Sequence, residues 1–302
     1  MPPHEFKLSV IVITRDRPDS LTRCAEALAS EMRSSDELIV VSGSGATDER
    51  ALLADFEGLV VLQSEHANMP HQRNVGLERA RGDVVAFVDD DGFVCAGWRD
   101  AIVAPYSDSG VGSVVGKETR ESESHVRSSA PAGVTWSGVI RPLYDFDSAE
   151  MCDVAIGQGC NMSFRRSVLQ SLGGFDPDYL QRANCEETDV FSRLTRAGHR
   201  IVYNPRAVVL HVPDRPVGYS RSEFDRRSAF HLHRNRAYFF TKNYLGKLPF
   251  FTYLLRDTGF TAWISLRRIV VIVVQTSAVF LLAVAGNVVG VWHGLRRRLR
   301  GE

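Results

Sequence analysis

The amino-acid sequence predicts an α/β fold in which helices flank a mostly parallel central sheet. The first observation is that short β-branched segments alternate with segments of helical periodicity from Leu8 onward, and such alternation implies crossover connections between parallel strands. The second is that polar loops follow three predicted strands, at Thr14, Ser42 and Asp89. Ligands of open α/β sheets bind beyond the carboxyl ends of the strands. We therefore expect a ligand site where these three loops meet.

The predicted elements follow one another in regular order. Strands are predicted at Leu8–Ile13, Glu37–Val41, Leu59–Leu62, Val84–Val88, Val111–Val115, Gly157–Phe164, Ile201–Tyr203 and Ala207–Leu210. Helices are predicted from Pro18, over Met69–Ala80 and Arg166–Leu172, and from Glu186. Proline favours the first turn of a helix because its missing N–H is not needed there. The strand Val84–Val88 is apolar throughout, which is typical of a strand buried on both faces.

Composition excludes some classes of function. A chain of 302 residues that is 44% hydrophobic can bury one large core or two modest ones. Lys and Arg together number 36, as do Asp and Glu, so no overall field attracts nucleic acid. The 5 cysteines show neither a Cys-x-x-Cys pair nor zinc-like spacing, which favours a reducing compartment. Met1–Lys7 is polar and leads straight into a strand, so we expect no secretory signal peptide.

Three consecutive carboxylates, Asp89, Asp90 and Asp91, end the buried strand. Neighbouring negative charges repel one another, and carboxylate oxygens are the ligands that Mg²⁺ or Mn²⁺ prefers. One interpretation is therefore a divalent-cation site. The other is an acidic turn in which Asp91 or Gly92 caps a helix over Ala96–Tyr106. This segment alone favours neither.

A second acidic cluster, Glu186, Glu187 and Asp189, opens a predicted helix. Acids in a first helical turn are stabilised by the helix dipole, and alternatively one of them faces a cleft as a general base. His211 follows the last predicted strand. A lone histidine is more often structural, but at the same sheet edge as an aspartate cluster it is able to complete a metal site.

Two other loops have open interpretations. Ser42-Gly43-Ser44-Gly45 lacks the third glycine of a dinucleotide fingerprint, so a plain loop is favoured over a phosphate cradle. Residues 116–150 form a long, weakly periodic segment, which is typical of a functional flap or a disordered stretch. Trp136 and Tyr144 in it suit either stacking on a sugar or packing onto the domain.

The C-terminal part is hydrophobic and flanked by arginines. No charged residue occurs from Ile269 to Trp292, and about 24 helical residues span roughly 36 Å, enough to cross a bilayer core. Arginines lie on both sides of the stretch, however, and a spanning helix has its basic flank on the cytoplasmic side alone. Attachment to the membrane surface, as a hairpin with Phe250–Leu266, satisfies both flanks. A true span and a soluble or oligomer-forming helix remain the alternatives.

Six segments then carry a family resemblance. They are SVIVITRDRP, HQRNVGLERARGD, FVDDDG, GCNMSFRRSVLQSLGGFD, EETDVFSRLTRAG and AVVLH. In this order the chain resembles family 2 glycosyltransferases of the GT-A fold from about Leu8 to His211, and Glu223–Leu245 resembles the segment that follows the catalytic domain in rhamnosyltransferase-like members. The resemblance implies a GT-A domain over residues 1–215 with a variable loop at 116–150, a basic and aromatic helical segment at 216–248, and a helical tail at 249–302.

The resemblance implies roles residue by residue. Donor-binding residues are expected at Thr14, Arg15, Asp16, Ser42, Arg73, Asn74, Asp89, Asp90 and Asn161. Ligands of Mn²⁺ or Mg²⁺ are expected at Asp89, Asp91 and His211, and Glu187 matches the general base, with Glu186 or Asp189 as alternatives. Acceptor contacts are expected at Trp136 and Asp189.

The implied function is inverting, metal-dependent transfer of a sugar from a nucleotide diphosphate to a glycan or lipid-linked acceptor. We expect cell-surface polysaccharide or glycolipid synthesis at the cytoplasmic face of the membrane, with an oligomer possible through the C-terminal helices. The chain departs from the family in Glu187, where Asp is usual, and in Ser42-Gly43, where an Asp usually recognises the donor base. UDP-sugar is favoured, with dTDP- or GDP-sugar as alternatives. A catalytically silent sugar-nucleotide-binding or scaffold protein is the competing hypothesis.

Overall fold

The computed structural model describes residues 5–43, 47–56, 58–66, 68–120, 128–143, 146–180, 185–212, 226–255 and 273–300, and gives only the backbone at 226–229 and 273–283. The chain forms two compact units. The first unit comprises Met1–Gly133, Pro142–Pro177 and Val190–Arg215, and the second comprises Val134–Arg141, Asp178–Asp189 and Pro216–Glu302. The predicted boundaries at residues 215 and 248 stay predictions.

The first unit is built on a mixed, mostly parallel sheet. Its strands are β1 (Leu8–Thr14), β2 (Glu37–Ser42), β3 (Leu59–Gln63), β4 (Val84–Asp89), β5 (Gly92–Val94), β6 (Val111–Thr119), β9 (Cys152–Asp153), β10 (Met162–Arg165) and β11 (Arg200–His211), while β7 (Gly133–Val134) and β8 (Ile140–Arg141) pair separately. The order is β3-β2-β1-β4-β10-β6-β11-β5, with β9 beside β11. Strand β1 pairs in parallel with β2 and β4, β2 with β3, and β6 with β11. Strand β10 is antiparallel to β4 and β6, and β11 is antiparallel to β5 and β9. The predicted fold class is confirmed.

Helices pack against the sheet, and they form where apolar residues recur at helical spacing in the sequence. They are α1 (Pro18–Glu31), α2 (Glu49–Leu52), α3 (Met69–Arg79), α4 (Trp98–Val103), α5 (Arg166–Ser171) and α6 (Glu186–Arg196). Helix α1 begins at a proline and buries Leu21, Cys24 and Leu28, one face of a helix by their spacing. Val84 to Val88 is at most 2% exposed, so the prediction of a strand buried on both faces is confirmed.

Three predicted elements differ from the structure. The strand expected at Gly157–Phe164 begins only at Met162, because a 3₁₀ turn occupies Gly159–Asn161. The two strands expected at Ile201–Tyr203 and Ala207–Leu210 are one strand, β11, whose pairing with β6 shifts between Asn204 and Val208. Pro205 lies in this irregularity and has no N–H to donate to the ladder.

The interpretation of the Asp89–Asp91 turn as a helix cap is wrong. Gly92 begins a short strand, β5, rather than a helix. The helix that follows starts at Trp98, and its N-cap is Gly97 with φ 80°, without any side-chain cap. The acidic turn therefore connects two strands, and helix capping does not account for its three carboxylates.

The long segment 116–150 is partly regular. Strand β6 continues to Thr119, and the small pair β7–β8 follows. Tyr144 lies outside the described residues, as do 121–127. The extended β6 carries Glu118 to the same region of the sheet as His211, because Leu210 pairs with Thr119.

The second unit consists mainly of helices α7 (Arg226–Tyr244), α8 (Leu248–Leu254) and α9 (Val273–Leu299). Helix α9 packs on α7 through Gly286, Gly290 and Gly294. A Cβ at Gly286 would lie 2.6 Å from the Phe230 carbonyl oxygen, and one at Gly294 would lie 2.7 Å from Thr241 Cβ. Glycine at every fourth position lets two helix backbones approach closely. Most of the predicted hairpin Phe250–Leu266 lies outside the described residues. Within the part of the chain that the structure describes, no helix has both the length and the apolar character to span a membrane.

Candidate functional site

Three loops meet at one edge of the sheet. Strand β1 pairs in parallel with β2 and β4, so that Thr14 is opposite Ser42 and Ile13 is opposite Asp89. The carboxyl ends of these strands therefore lie side by side. The expectation that the loops at Thr14, Ser42 and Asp89 share one edge is confirmed, and its physical cause is the parallel register.

Arg17 neutralises part of the acidic turn. Its Nη1 lies 3.0 Å from Asp90 Oδ1 and 3.2 Å from Asp91 Oδ2. Asp90 also accepts a hydrogen bond of 2.8 Å from the Thr14 hydroxyl. Burial raises the pKa of Asp90 to about 6, although Arg17 and Thr14 act in the opposite direction. Asp90 and Thr14, both expected near the donor, thus form part of the packing that shapes the turn.

Asp89 faces a different guanidinium. Arg73, which is 1% exposed, places Nη2 at 3.8 Å from Asp89 Oδ1. Its guanidinium also lies 5.4 Å from the centre of the Phe175 ring, a cation–π distance. Burial raises the pKa of Asp89, while the charge of Arg73 lowers it. The structure therefore brings together Asp89 and Arg73, two of the residues predicted for donor binding.

His211 joins two carboxylates. Its Nε2 lies 3.0 Å from Asp91 Oδ1, and its Nδ1 lies 2.8 Å from Glu118 Oε1. Arg120 in turn lies 2.8 Å from the same Glu118 oxygen. Burial lowers the pKa of His211, but hydrogen bonds to Asp91 and Glu118 outweigh it and raise that pKa to about 10. His211 and Asp91, predicted as metal ligands, are thus in direct contact.

The side chains at this edge of the sheet are suitable ligands for a divalent metal ion. Single ligand atoms of Asp89, Cys160 and His211 all lie within 4.8 Å of one another, and Asp91 contacts the same imidazole. Carboxylate oxygen and imidazole nitrogen are ligands of Mn²⁺, and Mg²⁺ accepts the carboxylates. Glu118 is then the outer carboxylate that orients a ligating histidine, a common arrangement in metal sites. Asp89, Asp91 and His211 are therefore the residues able to hold the ion.

Sequence reasoning missed three residues of this group, Arg17, Glu118 and Cys160. Arg17 directly precedes the helix-opening proline, and a basic residue there in a strand-end loop is a usable signal. Glu118 fell in the presumed loop because β6 is longer than predicted. Cysteine spacing along the chain does not indicate Cys160, because it says nothing about ligands that come from separate strands.

Three predicted donor residues have their polar groups engaged inside the domain. The Ser42 hydroxyl donates to Glu49 Oε1 at 2.5 Å. Asn74 exchanges two hydrogen bonds with the Phe175 backbone, at 2.7 and 2.8 Å. The Asn161 amide donates to the carbonyls of Lys117 and Ala207 and accepts from the Trp98 indole. These contacts hold the sheet edge in shape, and the predicted donor contacts stay predictions.

Arg15 and Asp16 are the exposed members of the predicted donor set. Their side chains are 66% and 49% exposed and lie 3.9 Å apart. Asp16 has φ 55°, a left-handed conformation that Asp tolerates better than most residues. The loop after β1 therefore presents one cation and one anion to solvent next to the buried Thr14.

The second acidic cluster belongs to the second unit. Asp189 is 0% exposed, and its two carboxylate oxygens accept from Lys242 at 3.1 Å and from Asn243 at 2.8 Å. Glu186 is 2% exposed, while Glu187 is half-buried. The structure thus gives Asp189 a packing role toward helix α7, which differs from its predicted acceptor contact, and leaves Glu187 the more accessible glutamate.

Two further residues are Cys185, next to this cluster in sequence, and Trp136. Cys185 precedes the glutamates with φ 79°, a costly conformation for a residue other than glycine. The pKa of the Cys185 thiol is raised to about 12, chiefly by burial; Arg236 lowers this pKa, whereas Glu186, Glu187 and Asp189 raise it. Trp136 is 72% exposed, and its carbonyl accepts from the Thr252 hydroxyl at 3.0 Å. Packing of its indole onto the domain is therefore the wrong interpretation, and stacking on an acceptor stays a prediction.

Comparison with known proteins decides the family. Residues 9–173 match the family model described as Glycosyl transferase family 2. The chain belongs to this family. It is 26% identical to the succinoglycan biosynthesis protein ExoM of Rhizobium meliloti (strain 1021), over 70% of this chain and 69% of that protein. It is 27% identical to the glucosyl-dolichyl phosphate glucuronosyltransferase of Haloferax volcanii, over 73% of this chain and 72% of that protein. The predicted family and enzyme class are confirmed, and the chain is a glycosyltransferase.

Solved structures share the fold. The mannosyltransferase PcManGT from Pyrobaculum calidifontis, in complex with GDP-Man and Mn²⁺, superposes with a TM-score of 0.60 at 17% identity, covering 100% of this chain and 89% of that one. GalNAc-T7 with UDP, GalNAc and Mn²⁺ gives a TM-score of 0.58 at 17% identity, covering 78% of this chain and 50% of that one. At such identity the likeness concerns the fold, and the GT-A fold prediction is confirmed.

Proposed function

We propose that this glycosyltransferase is an inverting, divalent-metal-dependent enzyme that transfers a sugar from a nucleotide diphosphate to an acceptor hydroxyl. The observation that carries the proposal is the contact of His211 with Asp91, at 3.0 Å, beside Asp89 at the carboxyl ends of β4 and β11. Two carboxylates and an imidazole from separate strands form a ligand set for Mn²⁺ or Mg²⁺. Family membership supplies the reaction class.

Different residues at the proposed sugar-donor site hold the metal ion and face the diphosphate. A divalent ion, when bound, neutralises the charge that develops on the leaving diphosphate. Asp89, Asp91 and His211 hold it in this proposal, and Glu118 orients the imidazole through Nδ1. Arg17 and Arg73 already offset the charge of the aspartates. The guanidinium of Arg17 is the more exposed of the two and is able to turn toward a diphosphate.

The acceptor hydroxyl needs a base. We assign this role to Glu187, because it is half-buried and thus more accessible than Glu186, and a glutamate with a reference pKa of about 4.3 is ionised near neutrality and accepts a proton. Glu186 is buried at 2% exposure, and Asp189 is bonded to Lys242 and Asn243. Both are therefore the weaker candidates. Direct attack by the deprotonated hydroxyl on the anomeric carbon inverts the configuration there.

The nucleobase of the sugar donor is recognised in this proposal without the aspartate that is usual in the family. Ser42 instead donates to the buried Glu49, so that the carboxylate at this strand end comes from the following helix. UDP-sugar is our leading proposal, with dTDP- and GDP-sugar as alternatives. PcManGT was solved with GDP-Man and GalNAc-T7 with UDP, which supports a nucleotide diphosphate without choosing between the bases.

A lipid-linked or glycan acceptor at the cytoplasmic face of the membrane is the third part of the proposal, in cell-surface polysaccharide or glycolipid synthesis. The relative from Haloferax volcanii bears a name that specifies a glucosyl-dolichyl phosphate acceptor. Helix α9 exposes Val288, Trp292 and Leu299, which are spaced to share a helix face, next to exposed arginines. An exposed apolar stripe with arginines is typical of a helix that lies in the headgroup region.

Donor turnover tests the catalytic part. The protein is incubated with UDP-, dTDP- and GDP-sugars, with Mn²⁺, Mg²⁺ or EDTA, and nucleotide release and thermal shift are measured together. We expect one base to raise the melting temperature only with metal and to be released as nucleotide diphosphate. Binding with no release on any acceptor would favour the silent sugar-nucleotide-binding protein instead, and turnover undiminished in EDTA would refute metal dependence.

Vesicle binding tests the membrane part. The protein is sedimented with vesicles of phosphatidylglycerol and phosphatidylcholine, or of phosphatidylcholine alone. We expect binding to the anionic vesicles, reduced at least about tenfold in Trp292→Ser because an interfacial aromatic anchor is lost. Equal binding of both vesicles would contradict the role of the arginines. Self-association in analytical ultracentrifugation without lipid binding would assign the stripe to an oligomer interface.

A further inference from the structure

The ligand cluster contains a thiol that a site for hard cations does not need. Cys160 Sγ is one of the three atoms that lie within 4.8 Å of one another, beside an Asp89 oxygen and a His211 nitrogen. Sulfur is a soft ligand that favours zinc and its analogues over Mg²⁺ or Mn²⁺. We infer that Asp89, Cys160 and His211 form a mixed O, S, N site that binds Zn²⁺ and competes with Mn²⁺ for the donor end.

The fold brings these three residues from separate elements. Asp89 ends β4, His211 ends β11, and Cys160 lies in the 3₁₀ turn that leads into β10. The sheet places β10 beside β4, so the turn before β10 lies at the carboxyl end of β4. Three protein ligands with a fourth position open to water or substrate are the usual arrangement of a zinc site that is not closed by the protein, as in catalytic zinc sites.

The thiol lies close to the acidic turn. Gly92 follows the aspartates, and a Cβ there would lie 3.0 Å from Cys160 Sγ and 3.2 Å from the Asp89 carbonyl oxygen. A side chain there would require the sulfur, the Asp89 carbonyl or Val209 Cγ1, which would lie 3.2 Å away, to give by a few tenths of an ångström. Glycine at this position therefore favours the close approach of the thiol.

The distances suit zinc after a small closure. Zinc bonds of about 2.0 to 2.3 Å in a tetrahedron separate the ligand atoms by roughly 3.5 Å, so separations that lie within 4.8 Å must shrink by roughly 1.3 Å at most. Asp89 is partly exposed, which gives an ion access from solvent. With one imidazole nitrogen on the ion, the other keeps a carboxylate partner, either Glu118 or Asp91. The Cys160 thiol proton passes to solvent as the sulfur–zinc bond forms.

Cobalt titration provides a direct readout, since Co²⁺ occupies zinc sites and a thiolate bound to it gives a charge-transfer band in the near ultraviolet. We expect the full-length protein to show this band with Co²⁺ and to lose it when Zn²⁺ is added. Cys160→Ser should lose the band and bind Zn²⁺ at least about 100-fold more weakly, beyond the 10- to 100-fold cost of losing an outer partner. Mn²⁺ affinity should change less than about threefold, since a thiol is a poor ligand for a hard ion.

Cys24 offers a matched control. Its buried thiol also touches the acidic turn, with Sγ 3.5 Å from the Asp89 carbonyl oxygen, but it is not part of the cluster. Cys24→Ser should keep the cobalt band. If Cys160→Ser does not fold, Cys160→Ala and the wild-type spectrum still decide the question. Absence of the band in wild-type protein, or its persistence in both Cys160 variants, overturns the inference.

Competition with Mn²⁺ rests on the proposed function, whereas zinc binding does not. Zinc should lower the rate of donor turnover in wild-type protein. A cobalt band without any turnover leaves the zinc site standing and removes the proposed function, while turnover without a band removes the zinc site alone.

Discussion

The two acidic clusters of this protein are built on opposite principles. In the first unit, Asp89 to Asp91 end a buried strand and face Arg17, Arg73 and His211. In the second unit, Glu186, Glu187 and Asp189 open helix α6, where the helix dipole favours acids. The first cluster holds three cationic or titratable side chains around its aspartates, and it is the proposed site of the diphosphate and the metal ion. The second commits Asp189 to packing, which leaves a single accessible carboxylate.

The comparison shows that acidic residues adjacent in sequence need not share a role. Asp90 is bonded to Thr14 and Arg17, while its neighbour Asp91 contacts the His211 imidazole. Asp189 is buried and accepts hydrogen bonds from Lys242 and Asn243. Glu187, two residues before Asp189, is half-buried. Each cluster thus contains one acid held in packing contacts and one to which the proposed function assigns a part in the reaction.

The largest expected effect comes from the first cluster. Asp91→Asn removes the charge of a proposed metal ligand that also contacts His211. Because such an ion supplies several kcal/mol to the transition state, we expect sugar transfer to fall by about 10³- to 10⁴-fold. Initial rates at saturating Mn²⁺ measure it. Asp100→Asn, an exposed carboxylate that pairs with Arg33, is the control and should keep wild-type rates. Retention of a tenth of the activity in Asp91→Asn would remove Asp91 from the site.

The next effect concerns the thiol in front of the second cluster. Burial raises the pKa of Cys185 to about 12, and the acids of α6 act in the same direction. Since only the thiolate reacts, we expect iodoacetamide at pH 8 to label Cys185 about 10³-fold more slowly than in the urea-unfolded chain. The native rate should still rise about tenfold per pH unit from pH 8 to pH 10, because both values lie below that pKa. Peptide mass spectrometry follows the labelling. A rate that levels off below pH 10 would contradict the raised pKa of this thiol.

A third prediction separates the two glutamates. Glu187→Gln should lower the rate of transfer by about 10²- to 10³-fold at unchanged donor affinity, since it removes the proposed base. Glu186→Gln should lower it less than about tenfold, because Glu186 is buried. Single-turnover rates and donor thermal shifts are the measurements. Equal loss in both variants would contradict the assignment of one available carboxylate to this cluster.

The smallest expected effect tests the packing role of Asp189. Asp189→Asn leaves Lys242, which is 11% exposed, without its charge partner, and breaking a buried pair costs about 3 kcal/mol. Urea denaturation should show this loss of unfolding free energy, with a roughly tenfold slower transfer as Glu187 loses its support. Asp108→Asn, at an exposed pair with Arg200, should change stability by less than about 1 kcal/mol. If Asp189→Asn is no more costly than that control, Asp189 is not a packing residue.

The sequence by itself determined most of the fold and the location of the first cluster. Alternation of apolar strands with helices predicts parallel strands, and parallel strands bring Thr14, Ser42 and Asp89 to one edge whatever the details of packing. His211 could likewise be predicted, since it follows a strand that ends at the same edge. These inferences depend on period and polarity along the chain, which are local properties.

Only the tertiary structure decided which side chains touch. Arg17, Glu118 and Cys160 join the first cluster because α1, β6 and the turn before β10 converge on it, and no local pattern contains that convergence. The pairing of Asp189 with Lys242 joins residues 53 positions apart. The close approach of α9 to α7 depends on glycines at every fourth position, which act only when a partner helix is present. Contacts between residues remote in sequence are set by packing, and packing is a property of the whole fold.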